Sequence, residues 1–288
     1  MEIGIGLPAH VPGATGSQLV EWASRSEARG FASLAAIDRL VFDNYEPLVA
    51  LAAAAAVTSR IRLVTAVVIA PSRANPAVLA KQVASLNLLS GGRLTLGLAP
   101  GGRADDYLTS PVPFRGRGKA FDTMLTEMSE VWTGAGGIGP LGEVRPRLIL
   151  GGFAPRSFRR AARWGDGWIG GANGPEGAGY GRMNAHQAWQ EAGRTDRPWV
   201  QALVYFGLGS TGADDVRRYL DLYYAFSSEV AAQVMGAAIT GAAALPAALE
   251  TYAAAGVDEL IMLPASADPA QVELLADVLD DRLAGVAP

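Results

Sequence analysis

The sequence predicts a single (β/α)₈ barrel, and three observations support this. Short β-rich runs alternate with helical patterns almost from end to end, the connections are short and rich in Gly, Pro or Ser, and eight strand-helix units can be counted. A chain of 288 residues also lies in the range where α/β barrels form one domain. We therefore expect residues 1–288 to form one domain with its active site at the carboxyl ends of the strands.

The first half of the chain contains four predicted strands, and each is separated from the next by a helical pattern. The strands are 3–7, 33–37, 62–69 and 93–98. The predicted helices of this half are 18–29, 47–58, 76–89 and 121–132. Two irregular stretches rich in Gly and Pro flank the last of these helices, and we expect them to be loops over a site: 100–118 and 133–146.

The second half repeats the same alternation. Its predicted strands are 147–150, 167–170, 200–207 and 259–263. Its predicted helices are 155–164, 180–192, a helical stretch that ends near 254, and 269–283. The alternative is a doubly wound open sheet, but the stretch GLPAHVPGATG after the first strand lacks the G-x-G-x-x-G pattern of dinucleotide-binding folds.

Composition narrows the functional classes. The chain has 24 basic and 28 acidic residues and no run of like charge, so we expect a small-molecule partner and neither nucleic acid nor a membrane surface. It has no cysteine and only two histidines, which predicts neither disulfides nor a metal site. The longest apolar stretch is about ten residues, half of what a spanning helix needs, and the start MEIGIGLP has no signal-peptide features, so a cytoplasmic location is expected.

Five segments together resemble the luciferase-like monooxygenase family of flavin-dependent oxidoreductases. The joint occurrence of AKQ, SGGR and RRAA…GDGW is more specific than any one of these motifs, and the resemblance covers nearly the whole chain. It implies a barrel that binds FMN or, in one branch, the deazaflavin coenzyme F-420, and that reduces or oxygenates organic substrates. It also implies a homodimer. The segments are 26–34, 50–67, 74–98, 148–171 and 253–264.

The predicted phosphate site lies where a strand meets a helix. Gly151 and Gly152 end a predicted strand just before a helix, so their amides and the free N–H groups of that helix are candidates to bind the flavin phosphate, with Arg156 and Ser157 completing the site. The alternative is a tight turn that needs glycine only for its backbone geometry. A candidate aromatic wall for the flavin is offered by Phe153, Trp164 and Trp168, although Trp164 has the spacing of a core residue.

Two further segments are candidates to hold the flavin ring. The resemblance implies a non-prolyl cis peptide at Ala66 and Val67, where the sequence alone predicts an ordinary buried strand. Arg103 is predicted to face the pyrimidine edge or the phosphate. Small residues at the end of the fourth strand, which would let a planar ring approach the backbone or form a mobile loop, are Gly97, Ala99, Gly101 and Gly102.

Four polar residues near strand ends are candidates to reach the barrel mouth. Asp38 and Arg39 end the second strand, and because many relatives have His where this chain has Arg39, the usual imidazole acid or base is missing. Arg39 would instead stabilise an anionic reduced flavin or bind an acidic substrate. His10 is predicted either to supply the missing proton or to face solvent. Arg73 is a candidate to reach the flavin or substrate, whereas Asn75 is predicted to cap a helix.

Three functions remain open at this stage. The first is a monooxygenase that uses reduced FMN from a separate reductase. The second is a dehydrogenase or reductase that depends on coenzyme F-420, in which Asp105 or Asp106 replaces the acid found in such relatives. The third is a barrel that binds flavin without catalysis. The substrate cannot be predicted, because specificity in this architecture depends on loop conformations.

Overall fold

The computed structural model describes residues 1–140 and 145–283, and within them the chain folds into a closed barrel of parallel strands. The order of hydrogen-bonded strands runs from β3 through β2, β1, β9, β8, β7, β6 and β5 to β4, and β3 also pairs with β5, which closes the ring. The strands are β1 (Glu2–Gly6), β2 (Ser33–Ala36), β3 (Arg62–Thr65), β4 (Val68–Ile69), β5 (Leu94–Ala99), β6 (Arg147–Gly151), β7 (Gly167–Ile169), β8 (Trp199–Phe206) and β9 (Glu259–Pro264).

Two of these strands, β3 and β4, are halves of one barrel strand, so the barrel has the eight strands that the sequence predicts. The sequence indicated an unbroken strand over 62–69, but Ala66 and Val67 interrupt it and are joined by a cis peptide bond, as the resemblance implied. Thr65 Oγ1 accepts from the amide of Gly97 and donates to its carbonyl, both at 2.8 Å. A Cβ at Gly97 would lie 1.9 Å from the Thr65 carbonyl oxygen, so only glycine permits this approach.

Helices surround the barrel and follow the predicted order. Three begin before the predicted residue, at 16, 117 and 174 instead of 18, 121 and 180, and the helical stretch up to 254 consists of three helices. The helices are α1 (Gly16–Ala28), α2 (Pro47–Ala56), α3 (Pro76–Leu89), α4 (Arg117–Trp132), α5 (Pro155–Trp164), α6 (Gly174–Glu191), α7 (Gly212–Tyr223), α8 (Ser228–Ala237), α9 (Leu245–Ala254) and α10 (Ala270–Leu283). None of those in the described ranges is long and apolar enough to cross a membrane.

Local sequence explains where several helices begin. The side chain of Asn75 accepts from the amide of Val78 at 3.0 Å, which confirms its predicted role as the cap of α3. The early start of α6 runs through Gly174, Gly177 and Gly179, which disfavour helix, and this helix packs against α5, α8 and β8. In the part of α6 that was predicted, a Cβ at Gly181 would lie 1.9 Å from the ring of the fully buried Trp168, so that position requires glycine.

Buried charge closes the amino-terminal end of the barrel. Glu259 in β9 is 1% exposed, and its carboxylate accepts from Ser33 Oγ, from Arg62 Nη2 at 2.9 Å and from Gln201 Nε2 at 2.7 Å. Arg62 also pairs with Glu2 at the start of β1. These contacts join β1, β2, β3, β8 and β9 at the end of the barrel opposite the predicted site.

Candidate active site

Two adjoining cavities open among the carboxyl ends of the strands, where the sequence analysis placed the active site. The larger cavity has a volume of about 580 Å³, within the range of roughly 300–1,000 Å³ that is usual for ligand pockets, and the smaller one has about 190 Å³. The two cavities share the residues that separate them: Ala66, Val67, Gly101, Gly102, Gly171 and Leu203. A molecule in the larger cavity would therefore lie next to one in the smaller.

Small residues and exposed backbone form much of the wall of the larger cavity. The cis peptide of Ala66 and Val67 faces it, and so do the residues that follow β5, β6 and β7. The predicted cofactor residues that line it are Ala66, Val67, Ala99, Gly101, Gly102, Gly151, Gly152, Phe153, Arg156 and Ser157. Trp168 is fully buried and Trp164 packs against the core, so of the three predicted wall aromatics Phe153 alone lines the cavity.

The turn between β6 and α5 has the features of an anion site. Gly152 has φ of +122°, and a Cβ there would lie 2.6 Å from Ser157 Oγ, so glycine is required both for conformation and for space. Trp168 Nε1 donates to the Gly152 carbonyl at 2.9 Å and fixes the turn. No side chain caps α5 at Ala154, which leaves the positive end of the helix available to an anion.

Three arginines surround this end of the larger cavity, and two of them were not predicted. Arg160 is buried and pairs with Asp122, with 2.6 Å between Arg160 Nε and Asp122 Oδ1. Arg117 donates to the Gly101 carbonyl at 2.9 Å and to the Phe114 carbonyl at 3.1 Å. Within the described residues neither Arg117 nor the exposed Arg156 is ion-paired with a carboxylate. Two positive charges therefore remain uncompensated beside the α5 turn.

These residues fit the flavin that the sequence analysis expects. Glycine and alanine backbone offers a flat wall to a planar ring, and the uncompensated Arg117 and Arg156 match the charge of roughly −1.5 to −2 on a terminal phosphate. One signal in the sequence was missed: Gly170 and Gly171 follow β7 as Gly151 and Gly152 end β6. The residues of the cavity wall that were not predicted are Pro100, Arg117, Gly118, Ala154, Arg160, Ile169, Gly170, Gly171 and Leu203.

Ion-paired side chains line the smaller cavity. Arg39 is 6% exposed, and its Nε donates to both carboxylate oxygens of Asp106 at 2.8 and 3.0 Å, while its Nη2 donates to Asp105 at 3.1 Å. Asp106 also accepts from the amides of Leu40 and Val41. The positive charge of Arg39 is therefore already paired with carboxylates. It is not free to bind an anionic flavin or an acidic substrate, contrary to the prediction. The Asp106 carboxyl group is likewise engaged, by Arg39 and by two backbone amides.

Three other predicted polar residues form ion pairs at or near the smaller cavity. Asp38 faces this cavity, as expected of a residue at the barrel mouth, and accepts from the amide of Ile69 at 2.9 Å. Arg103 also faces it, pairs with Asp105 and lies 4.0 Å from the ring centroid of Phe226. Arg73 pairs with Asp38 at 3.0 Å and lines neither cavity. The contact of Arg103 with the pyrimidine edge or the phosphate, and that of Arg73 with the flavin or substrate, stay predictions.

His10 does not reach the barrel mouth. Its side chain is 1% exposed, its Nε2 is 2.9 Å from the Pro264 carbonyl oxygen, and its ring packs edge-on against Tyr205 and Tyr219. Burial lowers the pKa of His10 to about 4, so the imidazole is neutral near neutral pH. The prediction that it supplies a proton to the site, and the alternative that it faces solvent, are both wrong.

Four tyrosines pack together beside the smaller cavity, and the sequence analysis did not single them out. Tyr205 from β8, Tyr223 and Tyr224 line the cavity, and Tyr219 stacks on Tyr223 with 5.5 Å between ring centroids. Burial raises the pKa of all four phenols, so each stays protonated near neutral pH. The spacing of Tyr219 and Tyr223, four residues apart on one helix face, was the available signal.

The described residues contain no cluster of three or more His, Cys, Asp or Glu side chains that could hold a metal ion.

Comparison with curated proteins finds relatives without a described activity. An uncharacterized protein of Mycobacterium tuberculosis is 31% identical over 212 residues, which cover 61% of this chain and 74% of that protein. A second uncharacterized protein of Mycobacterium tuberculosis is 32% identical over 163 residues, which cover 52% of this chain and 56% of that protein.

Comparison with solved structures and family models supports the fold and identifies the family. An F-420-dependent secondary alcohol dehydrogenase in complex with an F-420–acetone adduct has a TM-score of 0.80 at 16% identity, with 97% of this chain and 98% of that chain covered. The monooxygenase RslO1 from Streptomyces bottropensis has a TM-score of 0.75 at 21% identity, with 98% and 99% covered. The model of the luciferase-like monooxygenase family matches residues 1–273. The chain belongs to the luciferase-like monooxygenase family.

Proposed function

We propose that the protein is a monooxygenase that binds reduced FMN, supplied by a separate reductase, and acts on a small organic substrate. One observation supports this most directly: a glycine-walled cavity that ends in two uncompensated arginines adjoins a pocket whose charged side chains are all ion-paired. The first cavity has the shape and charge for FMN. The second offers a dry chamber beside it.

The residues of the larger cavity divide the binding of FMN between them. Arg117, Arg156 and the amino terminus of α5 would hold the phosphate, and the wall around Ala66, Val67 and the strand-end glycines would hold the ring. A bound reduced flavin would supply the electrons for activating oxygen. The chain's own part is to bind the cofactor, orient it toward the smaller cavity and exclude water from both.

The smaller cavity suits chemistry that water would interrupt. Its walls are the rings of Tyr205, Tyr223 and Tyr224 together with aliphatic side chains, and the carboxylates of Asp38 and Asp106 are engaged by arginine and by backbone amides. The charged groups of this site are engaged within the protein, and the phenol hydroxyls are among the polar groups that remain. A site that excludes water protects reactive species from side reactions.

The alternative, hydride transfer with coenzyme F-420, would need a proton donor beside the substrate when a carbonyl is reduced. Both candidates from the sequence are ion-paired: Asp106 with Arg39, and Asp105 with Arg103, which lowers the pKa of Asp105. The phenols that remain have raised pKa values and are weak acids. The geometry therefore supports the monooxygenase better, and it gives no specific support to a barrel that binds flavin without catalysis.

Titration of the purified protein with FMN and with coenzyme F-420, each oxidised and reduced under anaerobic conditions, tests this proposal. We expect reduced FMN to bind most tightly. Arg156→Ala should weaken its binding by about tenfold, because one charge-assisted contact to the phosphate is lost. Arg159→Ala is the matched control, since Arg159 is exposed on the same helix but does not line the cavity.

Binding alone does not distinguish an oxygenase from a protein that binds flavin without turnover. The second measurement therefore follows the oxygen atoms of dioxygen into the product. Protein loaded with reduced FMN is mixed with labelled dioxygen and a panel of small organic compounds, and label in an organic product is expected. Selective binding of coenzyme F-420, or turnover under anaerobic conditions with no label from oxygen, would favour the alternative.

A further inference from the structure

A buried indole supports the turn between β6 and α5 without reaching the cavity itself. Trp168 in β7 is fully buried and lines neither cavity. Its Nε1 donates to the carbonyl of Gly152 at 2.9 Å, and its ring packs edge-on against Phe153, with 5.2 Å between the ring centroids. Gly152 and Phe153 both line the larger cavity. One buried side chain therefore contacts two consecutive residues of the cavity wall.

Burial alone does not account for the hydrogen bond between Trp168 and Gly152. Trp22 and Trp189 are as deeply buried as Trp168, yet their indole N–H groups have no partner among the described residues. The core of this protein therefore tolerates a buried indole without a partner. The bond that Trp168 makes points to a requirement of the turn and not of the core.

Glycines on two sides leave room for the indole and hold it in one place. A Cβ at Gly181 in α6 would lie 1.9 Å from Trp168 Cη2, and a Cβ at Gly170 would lie 2.8 Å from the same atom. Phe158 of α5 packs against the ring, with 5.7 Å between centroids. Because protein interiors are close-packed, the indole cannot shift without moving one of these elements.

We propose that Trp168 is a positioning residue for the cofactor phosphate. Its indole holds the peptide between Gly152 and Phe153 so that the N–H of this peptide, and not its carbonyl oxygen, is presented to the anion. This inference rests on the proposed function, since it concerns the phosphate of the flavin in the larger cavity. It makes Trp168 responsible for the preference of the turn for a flavin with a phosphate over one without.

The geometry of the peptide group links the indole to the anion. The bond between Gly152 and Phe153 is trans, so its carbonyl and its N–H point in opposite directions. The carbonyl points to the buried Trp168, and no described residue accepts from the Phe153 N–H. Without the indole this peptide can rotate, because glycine at 152 is open to several conformations. The carbonyl oxygen would then face the anion, and its partial negative charge would repel a phosphate.

The first experiment compares two flavins that differ only in the phosphate. Reduced FMN and reduced riboflavin are titrated anaerobically into Trp168→Phe, which keeps an aromatic ring in the core and removes the indole N–H. We expect FMN affinity to fall about tenfold, as for one lost charge-assisted contact, and riboflavin affinity to change less than about twofold. Trp22→Phe is the control, because it removes an equally buried indole N–H that has no partner in the described part of the chain. Equal losses for the two flavins in Trp168→Phe would overturn the proposal, because a defect of the core alone weakens both.

A second variant displaces the indole from a different helix. Gly181→Ala places a methyl group against Trp168 and should lower FMN affinity about tenfold, again with a smaller effect on riboflavin. Gly179→Ala is the matched control, because it lies on the same helix and its Cβ would meet Ala255 at an ordinary 3.8 Å. Each variant is first shown to be folded by its melting curve. If Gly181→Ala and Gly179→Ala had the same ratio of FMN to riboflavin affinity, the position of the indole would not matter to the phosphate.

A third measurement needs no flavin and separates this proposal from the proposed function. Inorganic phosphate is titrated into the isotope-labelled protein, and the indole N–H signal of Trp168 is identified in two-dimensional NMR spectra by its loss in Trp168→Phe. An anion that accepts from the Phe153 N–H polarises the peptide and strengthens its bond to the indole, so this signal should move downfield while that of Trp22 does not. Phosphate affinity should fall about tenfold in Trp168→Phe.

The two proposals can fail separately in this measurement. Absence of phosphate binding, or equal phosphate affinity in Trp168→Phe and the unaltered protein, would contradict the role of Trp168 even if FMN binds. The expected shift and loss of phosphate affinity, found in a protein that does not bind FMN, would support the role of Trp168 at an anion site and contradict the monooxygenase alone.

Discussion

The two ends of the barrel contain the same kind of interaction, a buried arginine-carboxylate pair, but use it differently. At the amino-terminal end Glu259 accepts from Ser33, Arg62 and Gln201, and its carboxylate is fully engaged. At the carboxyl end Arg39 pairs with Asp106 and lines a cavity, and its buried Nη1 has no hydrogen-bond partner among the described residues. The comparison shows that the role of an arginine-carboxylate pair depends on the end of the strands at which it lies. At the amino-terminal end the pair stabilises the barrel, and at the carboxyl end it lines a ligand cavity.

The largest expected effect comes from breaking the pair at the amino-terminal end. Glu259→Ala removes a carboxylate that is 1% exposed and leaves Arg62, Ser33 and Gln201 without their shared acceptor. We expect the free energy of unfolding to fall by about 3–5 kcal/mol, as for other broken buried pairs. Urea unfolding measures this. FMN affinity of the folded fraction should be unchanged, and a large loss of affinity would show that the two ends are coupled.

An exposed pair near the same end provides the matched control for that experiment. Arg197 pairs with Asp258 but is 63% exposed, so Arg197→Gln should change the free energy of unfolding by no more than about 1 kcal/mol. If both variants lost the same stability, burial would not be what distinguishes Glu259.

The second effect concerns His10 at the carboxyl end and depends on pH. Burial lowers its folded-state pKa to about 4, whereas an unfolded histidine has a pKa near 6.5. The unfolded chain therefore binds the extra proton first, and stability is lost as the pH falls from about 6.5 to about 4. The full difference corresponds to about 3 kcal/mol.

Unfolding free energies of the unaltered chain and of His10→Asn, measured between pH 4 and pH 7.5, test this. The pH dependence should be shallower in the variant, and their difference removes the contribution of the carboxylates. His186→Asn is the comparison: the pKa of the half-buried His186 is also lowered, by burial and by Arg182 and Arg197, but His186 is less buried than His10, so its removal should flatten the curve less. Parallel curves for the unaltered chain and His10→Asn would mean that His10 is not neutral in the folded state.

Much of the fold could be predicted because periodicity and turn residues are local signals. The order of strands and helices, the Asn75 cap and the glycines that end β6 all follow from short stretches of sequence. The early start of α6 could not be predicted, because the packing of this helix on α5, α8 and β8 is not a local signal. Local propensity argued against a helix there, and tertiary packing decided the outcome.

The site was predicted less completely, for a related reason. Parallel strands bring their carboxyl ends together, so residues that follow strands could be assigned to one region. How deeply each side chain is buried, and which residue it pairs with, could not be assigned in this way. His10 follows β1 as expected but is buried, and Arg39 finds its partner Asp106 67 residues away. Arg117, Tyr219 and Tyr223 come from helices, where proximity to a strand end gave no signal.

The smallest effects come from deleting one hydroxyl at each end, which sharpens the comparison. Ser33 Oγ donates to the Glu259 carboxylate, whereas the Tyr224 and Tyr205 hydroxyl oxygens are 3.4 Å apart, a long hydrogen bond. We expect Ser33→Ala to lower the free energy of unfolding by about 2 kcal/mol, because its acceptor is charged, and Tyr224→Phe to lower it by less than about 1 kcal/mol. Chemical denaturation of both variants measures the difference.

Since Tyr224 faces the smaller cavity and Ser33 does not, only Tyr224→Phe should alter the binding of ring-sized ligands. Equal losses of stability with unchanged binding would mean that the tyrosine hydroxyls belong to the barrel's support and not to its site.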